Sequence, residues 1–326
     1  MESEFLNVMR TLVSVATPLM IAALGETITE RAGVINLSLD GSLALTAMTG
    51  FAIALFTGSA EIGLLAAMLV GGLVALIIAF ASIELRLDQV AVGFVLTLLC
   101  ADLAEFLGVP VAGQPGVGIP YWPLPILSDI PVIGRVFFDH NIVVYISYVL
   151  VFVTWFWLFR TRGGLAHRAI GEHPEAAFAR GTAVNMQRYL YTFIGGALVG
   201  MAGAAYSLSI RVGWLTPPSM LGDGWIALAI VIFGGWHPLR VLFGAYLFAG
   251  LRAAATAIQG TDIAIPVTLL NGLPWLLMII TLLLVSGGAV ERLLRLFPKP
   301  MQNRLRTFLR SDPPKALGTR FDPNEN

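Results

Sequence analysis

Polar side chains that interrupt apolar runs are the residues most able to do chemistry in this chain. Asn36, Asp40, Gln89, Thr97, Asp102, Glu105 and Asn271 each stand in or beside such a run. If the runs cross a membrane, a charge within one costs about 2.5–3.5 kcal/mol to insert, so polar groups there tend to have a use. Amides such as Gln89 and Asn271 offer uncharged donors and acceptors suited to solute hydroxyls or the edge of a heterocyclic base. The same amides also serve to tie one helix to another, and both roles stay open at this level. Asn36, Asp40, Gln89, Thr97 and Asn271 are therefore candidates for a solute pathway. Asp102 and Glu105 lie near the end of their run, where a carboxylate can reach water. Trp122, Trp214 and Trp225 could stack on a ring or act as interfacial anchors.

A second group lies in the charged segment 160–188. Pro174 suits the first turn of a helix and Gly181 its carboxyl end, which predicts a rod of about two turns, roughly 10 Å long. A helix this short is marginal alone and needs a partner or its own protein to hold it. Ala176, Ala177 and Ala179 surround Phe178, giving one apolar knob on a low surface that could enter a shallow groove. The alternative is a solvated loop helix. Other chemistry is lacking in the sequence. His140, His167, His173 and His237 are scattered, so no metal site is expected. The only lysines, Lys299 and Lys315, each follow a proline, which rules out a Walker A loop in this chain. No nucleophile elbow is found, and an enzyme is not expected.

The elements that must position these residues are membrane helices. Of the 326 residues 57% are hydrophobic and 12% charged, too few charges to coat a soluble surface, and a soluble nucleic-acid-binding protein is excluded. The net charge is zero, and the single cysteine, Cys100, permits no disulfide framework. The expected fold is all-α, a polytopic bundle of about nine spans, with eight or ten as alternatives: 8–25, 36–57, 61–83, 89–108, 141–159, 188–210, 222–236, 240–258 and 266–286. Arg160, Arg162, Arg168, Arg180 and Arg188 place segment 160–188 in the cytoplasm by the positive-inside rule, and the basic stretch from Glu291 places the carboxy terminus there too. Counting spans puts the Pro/Gly-rich loop 109–140 and the amino terminus outside. The organisation is then a transmembrane domain, 1–290, with the external loop 109–140 and the cytoplasmic segment 160–188, and a basic cytoplasmic tail, 291–326.

Asp40-Gly41 and Asp223-Gly224 each open an apolar run. In this topology the first run leaves the cytoplasmic side and the second leaves the outer side, so spans one to four and six to nine would be inverted copies. An Asp favoured by the positive end of a helix also explains both. Gly196, Gly200, Gly203 and Ala204 form a small-residue stripe for close helix contact.

The run Arg168-Ala169-Ile170-Gly171-Glu172-His173-Pro174-Glu175-Ala176-Ala177 resembles the coupling-helix motif of ABC importer permeases of the branched-chain amino acid and simple-sugar group. The stretches Leu24-Gly25-Glu26 through Glu30-Arg31-Ala32-Gly33-Val34-Ile35-Asn36-Leu37 and Ile226 through Pro238 agree with it, over about residues 10–286. The resemblance is strongest to the branch for nucleosides and simple sugars that pairs with basic membrane lipoproteins. Asp40 stands where relatives usually carry Glu. The resemblance implies a permease subunit in a prokaryotic plasma membrane, with Gly171, Glu172, His173, Pro174, Glu175, Ala177, Phe178 and Gly181 coupling to an ATPase. It implies no cofactor in this chain, with ATP and Mg on that ATPase, single or tandem. It further implies a second permease subunit or another copy of the chain, and an extracytoplasmic solute-binding lipoprotein. Branched-chain amino acid cargo, or a secondary transporter needing no ATPase, are the rival readings; the former would require fixed charges for ammonium and carboxylate.

Overall fold

A computed structural model of the chain describes residues 2–259, 272–286, 298 and 312–322. Among these residues there are twelve α-helices and no strand. Six helices are long and apolar enough to cross a membrane: α1 (Glu2–Arg31), α2 (Leu39–Thr57), α3 (Ala60–Ile83), α4 (Gln89–Gly108), α6 (Ile142–Arg160) and α9 (Val184–Ala205). Between them lie α5 (Ile133–Phe137) and a two-helix arm, α7 (Arg162–Glu172) and α8 (Pro174–Ala179). After a π-helical turn, Tyr206–Ile210, come α10 (Asp223–Gly234), α11 (Pro238–Gln259) and α12 (Leu273–Ser286). Each of the nine apolar segments thus falls on a helix, the last of them only partly within the described residues. Helix starts carry the expected side-chain caps: Ser59, Asp88, Asn141 and Thr161 accept from the backbone N–H groups of Ile62, Ala91, Val143 and Gly164.

Helix α1 is the axis of the bundle. Every residue from Ala16 to Glu30 is buried, all round the helix, which is what an apolar core helix does and a lipid-facing one does not. It runs from the 109–140 loop, where Arg10 bonds to the Asp139 carbonyl at 2.9 Å, to the arm, where Arg31 lies 3.9 Å from Glu172. The small-residue stripe works as packing: a Cβ on Gly196 or Gly200 would strike the backbone of α3 at Gly71 or Ala67.

The two Asp-Gly helix starts do not sit on opposite membrane faces, as the sequence led us to expect; they meet. Residues 32–38 turn back into the bundle as non-helical chain before α2 begins, and Gly224 packs against the backbone of Leu39 and Asp40. Helix α10 has 12 residues, about 18 Å, and Arg31 fixes its end by donating to the carbonyls of Gly235 and Trp236. Measured along the membrane normal from that end, this length sets its start about midway through a hydrocarbon core of roughly 30 Å. Gly41 packs on Thr97, about eight residues or 12 Å along α4 from Gln89, which gives α2 a similar starting depth. Hydropathy cannot show this, because a non-helical segment and a helix of equal apolarity score alike.

Candidate functional site

The arm is built from its buried side outward. Thr161 caps α7, a helix of 11 residues that the Gly163-Gly164 pair and the charges had hidden in the sequence. His167, fully buried, lies flat on Tyr191 with ring centroids 3.7 Å apart, and its Nε2–H donates to the Ile28 carbonyl at 2.9 Å. Burial and the nearby arginines hold its pKa down at about 4, so the ring is neutral and pins α7 to α1. Gly171 touches Arg31 so closely that a Cβ would collide with its carbonyl, and its own carbonyl accepts from Ala316 N–H at 2.8 Å.

Pro174 opens α8 and Gly181, at φ +85°, follows its end, as the sequence predicts, although the helix itself has only 6 residues. Pro174 and Ala177 are buried, Ala177 against Ile170 and Val184 with Phe321 beside them. His173, Glu175, Phe178 and Gly181 are exposed, and Glu172 is half-buried against Arg31. The arm therefore offers one polar face with a single aromatic knob, Phe178, whose ring rests 5.6 Å from Phe321. Residues 312–322 brace it from behind: Gly318 N–H donates to Gly33, Arg188 donates to the carbonyls of Ala32 and Thr319, and Arg86 pairs with Asp322.

The second site is the mid-depth junction. Asp40 accepts from the N–H groups of Gly222 at 2.7 Å and Gly224 at 3.0 Å, so a side chain at the start of α2 caps the start of α10. Asp223 is gripped by both terminal guanidinium nitrogens of Arg252 and accepts from the Tyr206 hydroxyl at 2.6 Å. Two carboxylates thus face two positive helix ends and one guanidinium, which neutralises charge where solvent cannot.

The chain between arm and junction is tied at every step. Glu26 accepts from Asn36 N–H at 3.1 Å, and Asn36 Oδ1 accepts from the Ser38 N–H and hydroxyl. Gln89 Oε1 accepts from Ile35 N–H at 2.8 Å, and the Thr97 hydroxyl donates to the Leu37 carbonyl at 2.8 Å. The candidates Asn36, Asp40, Gln89 and Thr97 are thus brought together on one re-entrant strip, each committed to backbone. Asn271 lies outside the described residues. Asp102 is exposed and Glu105 half-buried; Trp214 is buried, Trp122 exposed, and Trp225 packs on Phe94 at 5.4 Å. Sequence reasoning missed Glu26, Glu30, Arg188, Tyr206 and Arg252. The signals were present: glutamates four apart in an apolar run, and a lone arginine inside another. Glu30 accepts from the indole N–H of Trp236, which Arg31 also grips through its carbonyl.

Comparison with known proteins agrees with this architecture. The family model described as branched-chain amino acid transport system, permease component, matches residues 8–285. A Haloferax volcanii protein named for glucose ABC transporter permease activity is 39% identical over 257 residues, 78% of each chain. The guanosine ABC transporter permease protein of Bacillus subtilis is 37% identical over 74% of this chain and 79% of its own. The nucleoside ABC transporter permease protein of Lactococcus lactis is 34% identical over 84% of this chain and 90% of its own. No solved structure matches at a significant level. An apolar helical bundle that this family model matches over most of its length is an integral plasma-membrane protein, and the chain belongs to the branched-chain amino acid transport system permease family as the membrane-spanning permease subunit of an ABC importer.

Proposed function

We propose that this permease imports a neutral, polyhydroxylated solute, a nucleoside or simple sugar, and that the α7–α8 arm takes the ATPase's stroke. The observation that carries the coupling role is the arm's division into a buried root and an exposed face. Gly171, Pro174 and Ala177 fix it to the bundle, while Glu172, His173, Glu175, Phe178 and Gly181 present toward a partner. A lever so rooted on Arg31 and Ile28 moves the end of α1 and the re-entrant strip with it. That strip ends at Asp40 on the start of α10, so closure of ATP-bound ATPase domains has a continuous mechanical route to mid-depth. ATP and Mg belong to the ATPase, single or tandem. The arm and the carboxy terminus face the cytoplasm, residues 1–290 form the permease unit, and the solute is delivered by an extracytoplasmic binding lipoprotein. A second permease subunit, homologous or identical, completes the pathway. The face-to-face Asp-Gly starts support an inverted repeat of α1–α4 and α9–α12.

The cargo class rests on the relatives' names and on charge. Within the described spans Asp223 is paired with Arg252 and Asp40 is capped, which leaves this junction no fixed ammonium–carboxylate receptor for an amino acid. Asn36, Asp40, Gln89 and Thr97 then act on the pathway by setting the strip's position, and Asn271 remains a direct contact candidate. The test is uptake by membrane vesicles holding this chain with its ATPase, second permease subunit and binding protein. ATP-dependent accumulation of labelled guanosine or glucose, abolished by Phe178→Asp with binding-protein affinity unchanged, is the expected result. Accumulation of leucine alone would overturn the cargo reading, and undiminished uptake by Phe178→Asp would overturn the arm's role.

A further inference from the structure

At the end of the bundle remote from the arm, α1 carries Asn7, Thr11 and Ser14, spaced four and three apart and so on one face. This face opens on a cavity of about 500 Å³ whose opposite wall includes Tyr121, Asn141 and Ser209. Several threonine hydroxyls of the bundle are satisfied within their own helix. Thr17, Thr27, Thr29, Thr46, Thr49 and Thr57 each donate back to a carbonyl one turn earlier, at 2.6–3.2 Å. Thr11 and Ser14, among the described residues, make no such bond. A span can direct unpaired hydroxyls at lipid only at a cost, since hydrocarbon offers no partner. Their free capacity points into the cavity.

The far wall is shaped for the purpose by the π-helical turn, Tyr206–Ile210, a distortion that costs hydrogen-bond regularity and often marks a working site. Its first residues stay with the core: Tyr206 holds Asp223, and the Ser207 hydroxyl donates to the Ala47 carbonyl at 2.7 Å. Two residues later Ser209 reaches the cavity and accepts from Asn141 Nδ2 at 2.5 Å. The turn therefore joins the cavity lining directly to the mid-depth junction. The cavity carries little net charge. Arg10 is held by Asp139, 3.5 Å away, and lies 5.2 Å over the Tyr121 ring, and buried His140 is bonded to the Val136 carbonyl at 2.8 Å and kept neutral by its burial.

We infer that this cavity is a solute subsite at the mouth remote from the arm, taking a neutral polyhydroxylated molecule of nucleoside or hexose size. The volume falls within the range of small-molecule sites, and hydroxyl and amide groups around one aromatic ring match hydroxyls around one ring or base. The choice of probe rests on the cargo reading above; the site itself rests on the geometry.

Two measurements test it on the whole importer in vesicles. Thr11→Val combined with Ser14→Ala should raise the KM for guanosine or glucose uptake about tenfold, the effect of about 1.4 kcal/mol; a KM within twofold of the parent overturns the subsite. The second measurement does not need transport. Cys100, the only cysteine, is buried, so Ser14→Cys supplies a single accessible thiol. A membrane-impermeant maleimide should label it from the outer side, and saturating guanosine or glucose should slow labelling at least fivefold. Parent uptake of either solute without such protection overturns the subsite and leaves the cargo reading standing. Protection without parent uptake sustains the subsite and overturns the cargo reading.

Discussion

Asp223 shows how one residue's environment decides its worth. Its carboxylate is 1% exposed and held by Arg252 and Tyr206, so its charge is tolerated only because the partners are in place. Asp223→Asn takes this carboxylate away from the Arg252 guanidinium and should cost about 3 kcal/mol, the low end for a broken buried pair because the Arg252 side chain keeps 32% of its exposure. Asp223→Asn with Arg252→Gln should recover most of the loss, since amide meets amide. Thermal unfolding in detergent checks both variants; equal melting temperatures for the parent and Asp223→Asn would contradict the pairing. Asp223 was visible in the sequence as half of a repeated Asp-Gly pair. Arg252 was not assigned to it, because 29 residues of chain separate them and only the fold closes that gap.

At the scale of elements, the arm depends on α7 more than on α8. A helix of 6 residues cannot persist alone, and α8 survives on the burial of Pro174 and Ala177 and on α7's fixture to α1. That fixture includes a neutral histidine. His167 titrates near 4 in the fold and near 6.5 when unfolded, so between these values the unfolded chain binds more protons. Stability supplied by this group is whole above about pH 6.5, falls as pH drops toward 4 by up to about 1.4 kcal/mol per unit, and levels off below. His167→Phe keeps the stacking on Tyr191 and removes the titration. Its arm should resist proteolysis at Arg180 equally at pH 7 and pH 5, whereas the parent should be cut faster at pH 5. The motif around Pro174 was legible because proline and glycine punctuate helices by covalent geometry. The eleven-residue α7 was not, since its stability comes from contacts with Ile28, Arg31 and Tyr191.

For the molecule as a whole, α1 joins the two ends. Its buried stretch from Ala16 to Glu30 links a mouth lined by Asn7, Thr11 and Ser14 to the arm seated on Arg31. The two ends should lie on opposite sides of the membrane. A cysteine at Ala176, on the arm, should react with an impermeant maleimide only in inverted vesicles, and one at Ile126, 81% exposed in the far loop, only in intact cells. Labelling of both from the same side would refute the orientation.

Composition and hydropathy determined that the chain is a helical membrane bundle, because spanning lipid requires about 20 apolar residues in a row whatever they pack against. Local punctuation determined the helix at Pro174, and the small-residue stripe determined where α9 could approach a neighbour. The tertiary structure alone decided that α2 and α10 begin together at mid-depth, that Asp40 caps a helix 182 residues away, and that Gln89 and Thr97 bind backbone. Those outcomes turn on where a polar group finds its partner once water is gone. A sequence states the need for such a partner, and only the folded chain supplies its identity.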